Sequence, residues 1–177
     1  MADILQFVED YVVPRYKHVL RANPYASEQG SDVIAYRLAK GAGHPSREDE
    51  LVVMEVKSAV STRSDRGVGE RISAAISGST KDRDKARDAM TLNYLMERSF
   101  KEGDLVTAAD LKRFMNRGDY QWTDSYRSAV TLDTAVLKDG KIEIDDLPAD
   151  FPSIPLTLVK AKDFLALIKD VYARCLA

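Results

Sequence analysis

The sequence has few of the residues that build disulfide frameworks and histidine-centred metal sites. Among 177 residues there are one cysteine, Cys175, and two histidines, His18 and His44. A single cysteine cannot form an internal disulfide or a multi-cysteine zinc site. The two histidines are far apart, in no spacing typical of zinc proteases or deaminases. We therefore do not expect a disulfide framework, a multi-cysteine zinc site or histidine-centred catalysis. We interpret Cys175 as a packed thiol of a C-terminal amphipathic helix.

Long apolar runs and a strong excess of one charge are missing as well. No run reaches the roughly 20 apolar residues of a membrane-spanning helix, and the N-terminus lacks the basic-then-apolar layout of a signal peptide. We therefore expect a cytoplasmic protein that does not enter a membrane. The formal net charge of −2 argues against a protein that coats DNA through bulk electrostatics. It leaves nucleic acid open as a substrate, because an enzyme needs only a locally positive surface.

A phosphate-binding loop is the third absence. The glycines within residues 67–78 have the wrong spacing, and no Gly-Lys-Ser or Gly-Lys-Thr sequence follows them. We therefore do not expect the chain to hydrolyse ATP. We interpret the stretch as glycine- and serine-rich connections around a short helix over residues 70–77, with Ser79 or Thr80 capping the next helix.

The remaining pattern predicts one globular domain over residues 1–177. The apolar fraction of 45% and the charged fraction of 31% are ordinary for a protein that buries a core. Apolar periodicity predicts helices over residues 2–21 (kinked at Pro14 or split there in two), 70–77, 81–101, 108–116 and 163–176. Period-two patterns and turn residues predict strands over residues 31–39, 50–59, 126–137, 142–144 and 155–159. The first two strands should pair antiparallel, and the whole is an α/β fold of the α+β type, a central mixed β-sheet flanked by helices.

The most informative feature is a charged pair within an apolar strand, residues 51–57 (LVVMEVK). Glu55 and Lys57 are two positions apart, so on a strand their side chains point to the same face. Their neighbours are β-branched or apolar, which is typical of a strand buried on both faces. Desolvating a carboxylate and an ammonium there costs free energy that a purely structural pair often fails to recover. We therefore infer a functional role for the pair.

Asp32 completes a constellation that is able to bind a divalent metal. It opens the strand over residues 31–39, and antiparallel pairing brings it into the region of Glu55. Two carboxylates on one side supply the hard oxygen ligands that Mg²⁺ or Mn²⁺ prefers. Lys57 beside them can polarise the attacking water and offset the charge on a phosphoryl group. Asp32, Glu55 and Lys57 are therefore the predicted catalytic residues.

This order of residues resembles the PD-(D/E)XK nuclease superfamily over roughly the first hundred residues. The family pattern is an acid at the start of one strand and Glu-x-Lys on the following antiparallel strand. Residues 30–32 (GSD) match the first part and residues 55–57 (EVK) the second. The proline that names the motif is missing here. A leading helix and a following helix, both predicted above, flank these strands in the family core.

The resemblance implies a restriction-endonuclease-like core and a metal-dependent nuclease. Its cofactor would be Mg²⁺ or Mn²⁺, held by Asp32, Glu55 and the backbone carbonyl of Val56. Members often use an additional acid from the leading helix or the turn after it; Glu28 is the best positional match and Glu9 the second. The implied substrate is DNA, with RNA as the other candidate.

A narrower likeness concerns the nuclease subunit of Hachiman antiphage systems, the HamA type. It rests on residues 30–38 (GSDVIAYRL) and 51–62 (LVVMEVKSAVST), followed by a Ser/Ala-rich helix. The likeness implies a role in antiphage defence and a helicase or other ATPase partner that restrains or licenses cleavage. The chain is shorter than a typical member, so it would be the nuclease portion or a compact relative.

Contacts to the substrate are predicted just past the Glu-x-Lys motif. Arg63 and Arg66 are candidates for binding a substrate phosphate, and Ser58 is able to donate a hydrogen bond to a backbone oxygen. The basic residues over 81–87 alternate with aspartates. We therefore interpret them as a solvated helix face rather than a phosphate-tracking surface.

A cluster of aromatic residues lies between a predicted helix and a predicted strand. Its members are Tyr120, Trp122 and Tyr126. Such side chains are able to stack nucleobases. More often a cluster of this kind closes the end of a core, and we favour that interpretation.

Two alternatives to catalysis stay open on the sequence. The first is a catalytically silent subunit that keeps the nuclease fold and binds nucleic acid or protein as a scaffold, which the low net charge favours. The second is an ordinary α/β domain in which Glu55 and Lys57 form a solvated ion pair of little energetic value. Convergence of the Asp32 and Glu55 carboxylates would favour the nuclease over both.

Overall fold

A computed structural model shows a mixed α/β fold with a four-stranded sheet among the residues that it describes. Those residues are 5–6, 8–14, 32–39, 44–59, 67–85, 88–118, 120–137, 154–164, 166–167 and 169–170. The strands are β1 (Val33–Arg37), β2 (Glu50–Ala59), β3 (Thr123–Asp133) and β4 (Leu156–Ala161). The helices are α1 (Val68–Lys85), α2 (Asp88–Lys101), α3 (Leu105–Lys112) and a 3₁₀ turn over Thr134–Val136. None of the described helices has the length and apolarity that crossing a membrane requires.

The sheet has the strand order β1-β2-β3-β4. β1 and β2 pair antiparallel, with Val33 opposite Met54, which confirms the pairing predicted from the sequence. β3 and β4 pair parallel, with Ser128 opposite Leu156. Parallel neighbours need a long connection, and the strand predicted within it, residues 142–144, lies outside the described part of the chain. The mixed sheet confirms the predicted fold class, whereas a restriction-endonuclease-like core stays a prediction.

Contacts divide the chain into two compact units. Unit 1 comprises Met1–Met54 and Thr80–Tyr126, and unit 2 comprises Glu55–Ser79 and Arg127–Ala177. β2 and β3 each have residues in both units. Glu55 is the first residue of β2 that belongs to unit 2. The expectation of a single domain stays a prediction.

The core of unit 1 is built from β1, β2, α2 and α3. Its buried members are Ile34, Tyr36, Leu51, Val53, Leu92, Leu95, Leu111 and Phe114. Leu51 and Val53 are two positions apart and share one face of β2. Val52 and Met54 alternate with them and are only 0% and 2% exposed. This half of β2 is therefore buried on both faces, as its unbroken apolar run predicted.

The core of unit 2 includes one face of α1 and residues of β3. Its buried members are Ile72, Ala75, Ile76, Val130, Leu132 and Leu137. The predicted helix is confirmed here, but its predicted end at residue 77 is wrong, because α1 continues through Gly78, Ser79 and Thr80 to Lys85. A glycine costs only about 1 kcal/mol relative to alanine inside a helix, so packing of the helix face outweighs it. The described residues between 164 and 170 are helical, as predicted for the C-terminal helix.

The helix predicted over residues 2–21 is wrong over much of the part that the structure describes. Only residues 5–6 are helical there, and Asp10 adopts a positive φ of 60°. Val12 instead forms an antiparallel bridge with Tyr36, with hydrogen bonds of 2.8 and 2.9 Å between their backbones. Val12 is 47% exposed while its two neighbours are buried. The alternation of buried and exposed side chains around Val12 thus reflects its pairing with Tyr36. A local apolar pattern does not reveal a partner that is distant in sequence.

The helix predicted over residues 81–101 is divided between α1 and α2. In α2, Leu92 and Leu95 are buried, whereas Met90 and Phe100 are 64% and 67% exposed. Met90 and Phe100 lie on other sides of α2 than Leu92 and Leu95, so only one face of this helix is buried. The helix predicted over residues 108–116 is confirmed as α3, which begins three residues earlier and ends four residues earlier than predicted.

A half-buried acid in unit 1 makes the stability of the protein depend on pH. The Tyr36 hydroxyl donates to Asp110 Oδ2 at 3.2 Å and joins β1 to α3. Burial raises the pKa of Asp110 above its ordinary 3.8. Burial, and next the Asp110 charge, also raise the pKa of Tyr36, which keeps its proton. Since the folded state holds the Asp110 proton more tightly than the unfolded state, this group's contribution to stability falls as the pH rises through 3.8 and the folded value.

Asp110→Asn is expected to remove this loss of stability with rising pH. The amide keeps an acceptor for Tyr36 but carries no charge. The free energy of unfolding of the variant, relative to the wild type, should therefore increase from acidic pH to neutral pH. Urea denaturation over a pH series measures it, with the exposed Glu48→Gln as the control. A difference between Asp110→Asn and wild type that is constant with pH would contradict the prediction.

Candidate active site

Glu55 and Lys57 form an ion pair on one face of β2. The Lys57 ammonium donates to Glu55 Oε1, which confirms that the two side chains point the same way, as the period of two predicted. The Glu55 side chain is 13% exposed and the Lys57 side chain 32%. The carboxylate is thus largely withdrawn from water while the ammonium remains accessible. This burial distinguishes the pair from an exposed surface ion pair of little energetic value.

Helix α1 contacts Glu55 through Gly78. A Cβ atom on Gly78 would lie 2.6 Å from Glu55 Cγ and 2.7 Å from both Cδ and Oε1. Only a residue without a side chain therefore permits the helix backbone to approach the Glu55 carboxyl group so closely. We interpreted Gly78 as part of a connection and missed this contact. The signal that could have found it is an isolated glycine within a helical pattern, which usually has a packing or functional reason.

Asp32, the other predicted carboxylate, lies at a bend directly before β1 and is partly buried. At this end of the β1–β2 pairing, Val33 is opposite Met54. Asp32 precedes Val33 in the sequence, and Glu55 follows Met54. Because Asp32 belongs to unit 1 and Glu55 to unit 2, the convergence of their carboxylates stays a prediction.

The other predicted site residues are only partly covered by the structure. Val56 lies in β2 between the two charged residues and is partly buried. Ser58 is exposed, and alternation along β2 places it on the face opposite Lys57. Its contact with a substrate stays a prediction. Outside the described residues lie Glu28, Arg63 and Arg66.

The donor chemistry of the predicted ligands fits Mg²⁺ or Mn²⁺. The carboxylates of Asp32 and Glu55 and the peptide carbonyl of Val56 are hard oxygen donors, the type that these ions prefer. Within the described part of the chain, no group of three or more His, Cys, Asp or Glu side chains is arranged to hold a metal ion.

Comparison with known proteins supplies no relative for this chain. No protein-family model matches it, and no curated protein or solved structure matches it either. The likeness to PD-(D/E)XK nucleases therefore rests on the two short motifs at residues 30–32 and 55–57 and on their order along the chain.

Proposed function

We propose that the chain is a metal-dependent nuclease that hydrolyses phosphodiester bonds of DNA. The observation that carries the proposal is the Glu55–Lys57 ion pair, in which a carboxylate withdrawn from water lies beside an ammonium on one strand face. Burying such a pair costs desolvation free energy. Gly78 adds about 1 kcal/mol relative to an alanine in the helix. Both costs are explained if the Glu55 carboxyl group must be held in one position to take part in catalysis.

The proposed chemistry assigns each residue a separate task. Asp32, Glu55 and the Val56 carbonyl would hold Mg²⁺ or Mn²⁺, with Glu28 as an additional acid. The bound ion would neutralise charge on the phosphodiester and make water more acidic. Lys57 donates to a phosphate oxygen or orients the attacking water, and its charge stabilises the negative charge that develops in the transition state. The proposed contacts to the phosphate backbone are Ser58, Arg63 and Arg66.

The proposal predicts metal-dependent cleavage that requires both members of the ion pair. We expect purified protein to cleave plasmid and linear DNA with Mg²⁺ or Mn²⁺, and not in EDTA. Glu55→Gln and Lys57→Ala should each lower the cleavage rate at least about 100-fold, the usual effect of removing a group that stabilises transition-state charge. Asp32→Asn should do the same if the two carboxylates share a metal. An RNA substrate of the same sequence determines which nucleic acid is preferred.

Glu50→Gln is the matched control for Glu55→Gln. Glu50 lies on the same strand and pairs with the exposed Arg37 at 2.7 Å, so the same chemical change there should leave cleavage unaltered. Robust cleavage by both Glu55→Gln and Lys57→Ala would show the proposal to be wrong. DNA binding without any cleavage by the wild type would instead favour the silent scaffold.

The narrower likeness extends the proposal to antiphage defence with a helicase or other ATPase as partner. Its support is the pair of runs at residues 30–38 and 51–62. A helicase gene beside the gene for this chain, and a change in the DNA cleavage rate when the two proteins are mixed, would support it. An unchanged rate in a mixture of the two would count against it.

A further inference from the structure

Unit 1 contains a cavity of about 570 Å³ at the aromatic cluster, which the proposed nuclease chemistry does not use. Its volume is within the range of roughly 300–1,000 Å³ that is typical of small-molecule sites. The side chains that matter in its lining are Asp88, Phe114, Arg117, Trp122, Asp124 and Tyr126. A smaller cavity of about 230 Å³ shares two of them, Arg117 and Trp122, and adds Tyr120 and Gln121. The Arg117–Trp122 pair therefore lines both cavities.

Arg117 and Trp122 form a stack that neighbouring groups hold in place. The guanidinium carbon of Arg117 lies 4.7 Å from the centre of the Trp122 ring. The ring also contacts Phe114 edge-on, with centroids 5.7 Å apart. Asp124 accepts hydrogen bonds from Trp122 Nε1 at 2.7 Å and from the Arg117 guanidinium. The stack ends in a planar cation whose side chain is 59% exposed.

Core packing explains only the inner part of this stack. Trp122 and Tyr126 pack against the core of unit 1, which confirms for these two residues our expectation that the aromatic cluster closes the end of a core, whereas Tyr120 is 41% exposed. That role requires the inner edges of the rings. It does not require a guanidinium that pairs with Asp124, stacks on Trp122 and is still 59% exposed in the lining of a cavity.

The charges that line the larger cavity balance one another. Arg83 and Arg117 carry positive charge, and Asp88 and Asp124 carry negative charge. Asp88 is 5% exposed and accepts from the Tyr126 hydroxyl at 3.1 Å. Burial, and next the Asp88 charge, raise the pKa of Tyr126, so this hydroxyl stays a donor to Asp88. A phosphate would meet two carboxylates as well as the two arginines and so gains no net attraction from these charges, whereas a neutral ring with N–H groups would meet acceptors and a stacking surface.

We propose that this cavity binds a nucleobase of single-stranded nucleic acid, which stacks on the outer face of the Arg117 guanidinium. Guanidinium planes serve as stacking surfaces for unpaired bases, and carboxylates accept hydrogen bonds from base amino groups. The smaller cavity beside Tyr120 offers room for an adjacent nucleotide. The site concerns binding alone and requires neither Glu55 and Lys57 nor a metal. A test of this binding site is therefore independent of a test of the nuclease activity.

The fluorescence of the chain reports directly on this site, because Trp122 is the only tryptophan. We expect a short single-stranded DNA of mixed sequence, added in EDTA to prevent cleavage, to change Trp122 emission in a saturable way. A duplex of the same sequence should bind at least about tenfold more weakly, since its bases are already stacked and paired. The anisotropy of a labelled oligonucleotide gives the affinity independently of Trp122.

Three arginine variants distinguish stacking from charge. Arg117→Ala should weaken single-strand binding about tenfold, within the usual effect of removing one stacking partner. Arg117→Lys keeps the charge but loses the plane and should weaken binding equally. Arg47→Ala changes the net charge identically at an exposed arginine that does not line the cavity, and it should bind like the wild type. Because Arg117 is largely exposed, circular dichroism should show all three variants folded.

Several results would overturn the proposal. Unchanged Trp122 emission, or Arg117→Lys binding as tightly as wild type, would exclude a stacked base. Equal weakening by Arg47→Ala would mean unspecific attraction to the chain. Inorganic phosphate that competes as well as a nucleotide would identify an anion site instead.

Discussion

Gly78→Ala is expected to lower DNA cleavage about 100-fold while leaving the protein folded. The added methyl group would lie 2.6 to 2.7 Å from three atoms of the Glu55 side chain. Because these atoms belong to a flexible side chain, the carboxyl group should move rather than the helix. A displacement of about 1 Å is enough to cost a catalytic site about 100-fold. No functional group of the proposed mechanism is removed by this substitution.

The stability of the Gly78→Ala variant should change little, and this separates it from a folding defect. Alanine favours the helix by about 1 kcal/mol, and crowding against Glu55 costs about 1–3 kcal/mol. The free energy of unfolding should therefore decrease by no more than about 2 kcal/mol. Urea denaturation and cleavage assays on the same preparation measure both quantities.

Gly67→Ala is the matched control for this prediction. Gly67 directly precedes α1, and a Cβ atom there would meet nothing within 4 Å. Cleavage should therefore be that of the wild type. Combining Gly78→Ala with Glu55→Gln should slow cleavage no further than Glu55→Gln alone, since both changes act through one carboxyl group. Undiminished cleavage by Gly78→Ala would contradict the role assigned to this contact.

Asp49→Ala is expected to lower the free energy of unfolding by about 3–5 kcal/mol, the cost of breaking a buried ion pair on one side. Asp49 is 1% exposed. Its carboxylate accepts from the backbone of Ala39 at 2.8 Å and of Ser46 at 3.0 Å. It also accepts from Arg113 at 2.7 Å, and the Arg113 side chain is 12% exposed. The substitution therefore leaves one buried cation and two backbone N–H groups without this acceptor.

Two further substitutions test whether the ion pair carries this effect. Asp49→Asn keeps an acceptor for a backbone N–H but loses the charge opposite Arg113, so its loss of stability should be smaller than that of Asp49→Ala. Glu48→Ala changes an exposed acid in the same turn and should leave stability within about 0.5 kcal/mol of wild type. Urea denaturation gives all three values. Equal small effects of Asp49→Ala and Glu48→Ala would show that the network contributes little.

The sequence predicted an element of secondary structure well where a single local pattern of apolar residues determines it. The bounds of β2 are those expected, residues 50–59, because a continuous apolar, β-branched run has no competing period. The segment around Val12 was wrong because its apolar spacing suits a helix, and the bridge to Tyr36 is made by a part of the chain that the local pattern does not contain. The ion pair between Asp49 and Arg113 is likewise not predictable from a local pattern, since an acid in a polar segment gives no sign that its partner is distant in sequence.

The candidate site, too, was predictable from the sequence only in part. The sequence by itself determined that Glu55 and Lys57 share a strand face, because alternation is a property of extended backbone. It also placed Asp32 at the beginning of the neighbouring strand, where the structure has it directly before β1. Only the tertiary structure decided that the Glu55 carboxylate is largely withdrawn from water and that Gly78 lies against it. Burial and close approach depend on which helix packs over the strand, and residue spacing carries no information about a contact between segments that meet only in the folded chain.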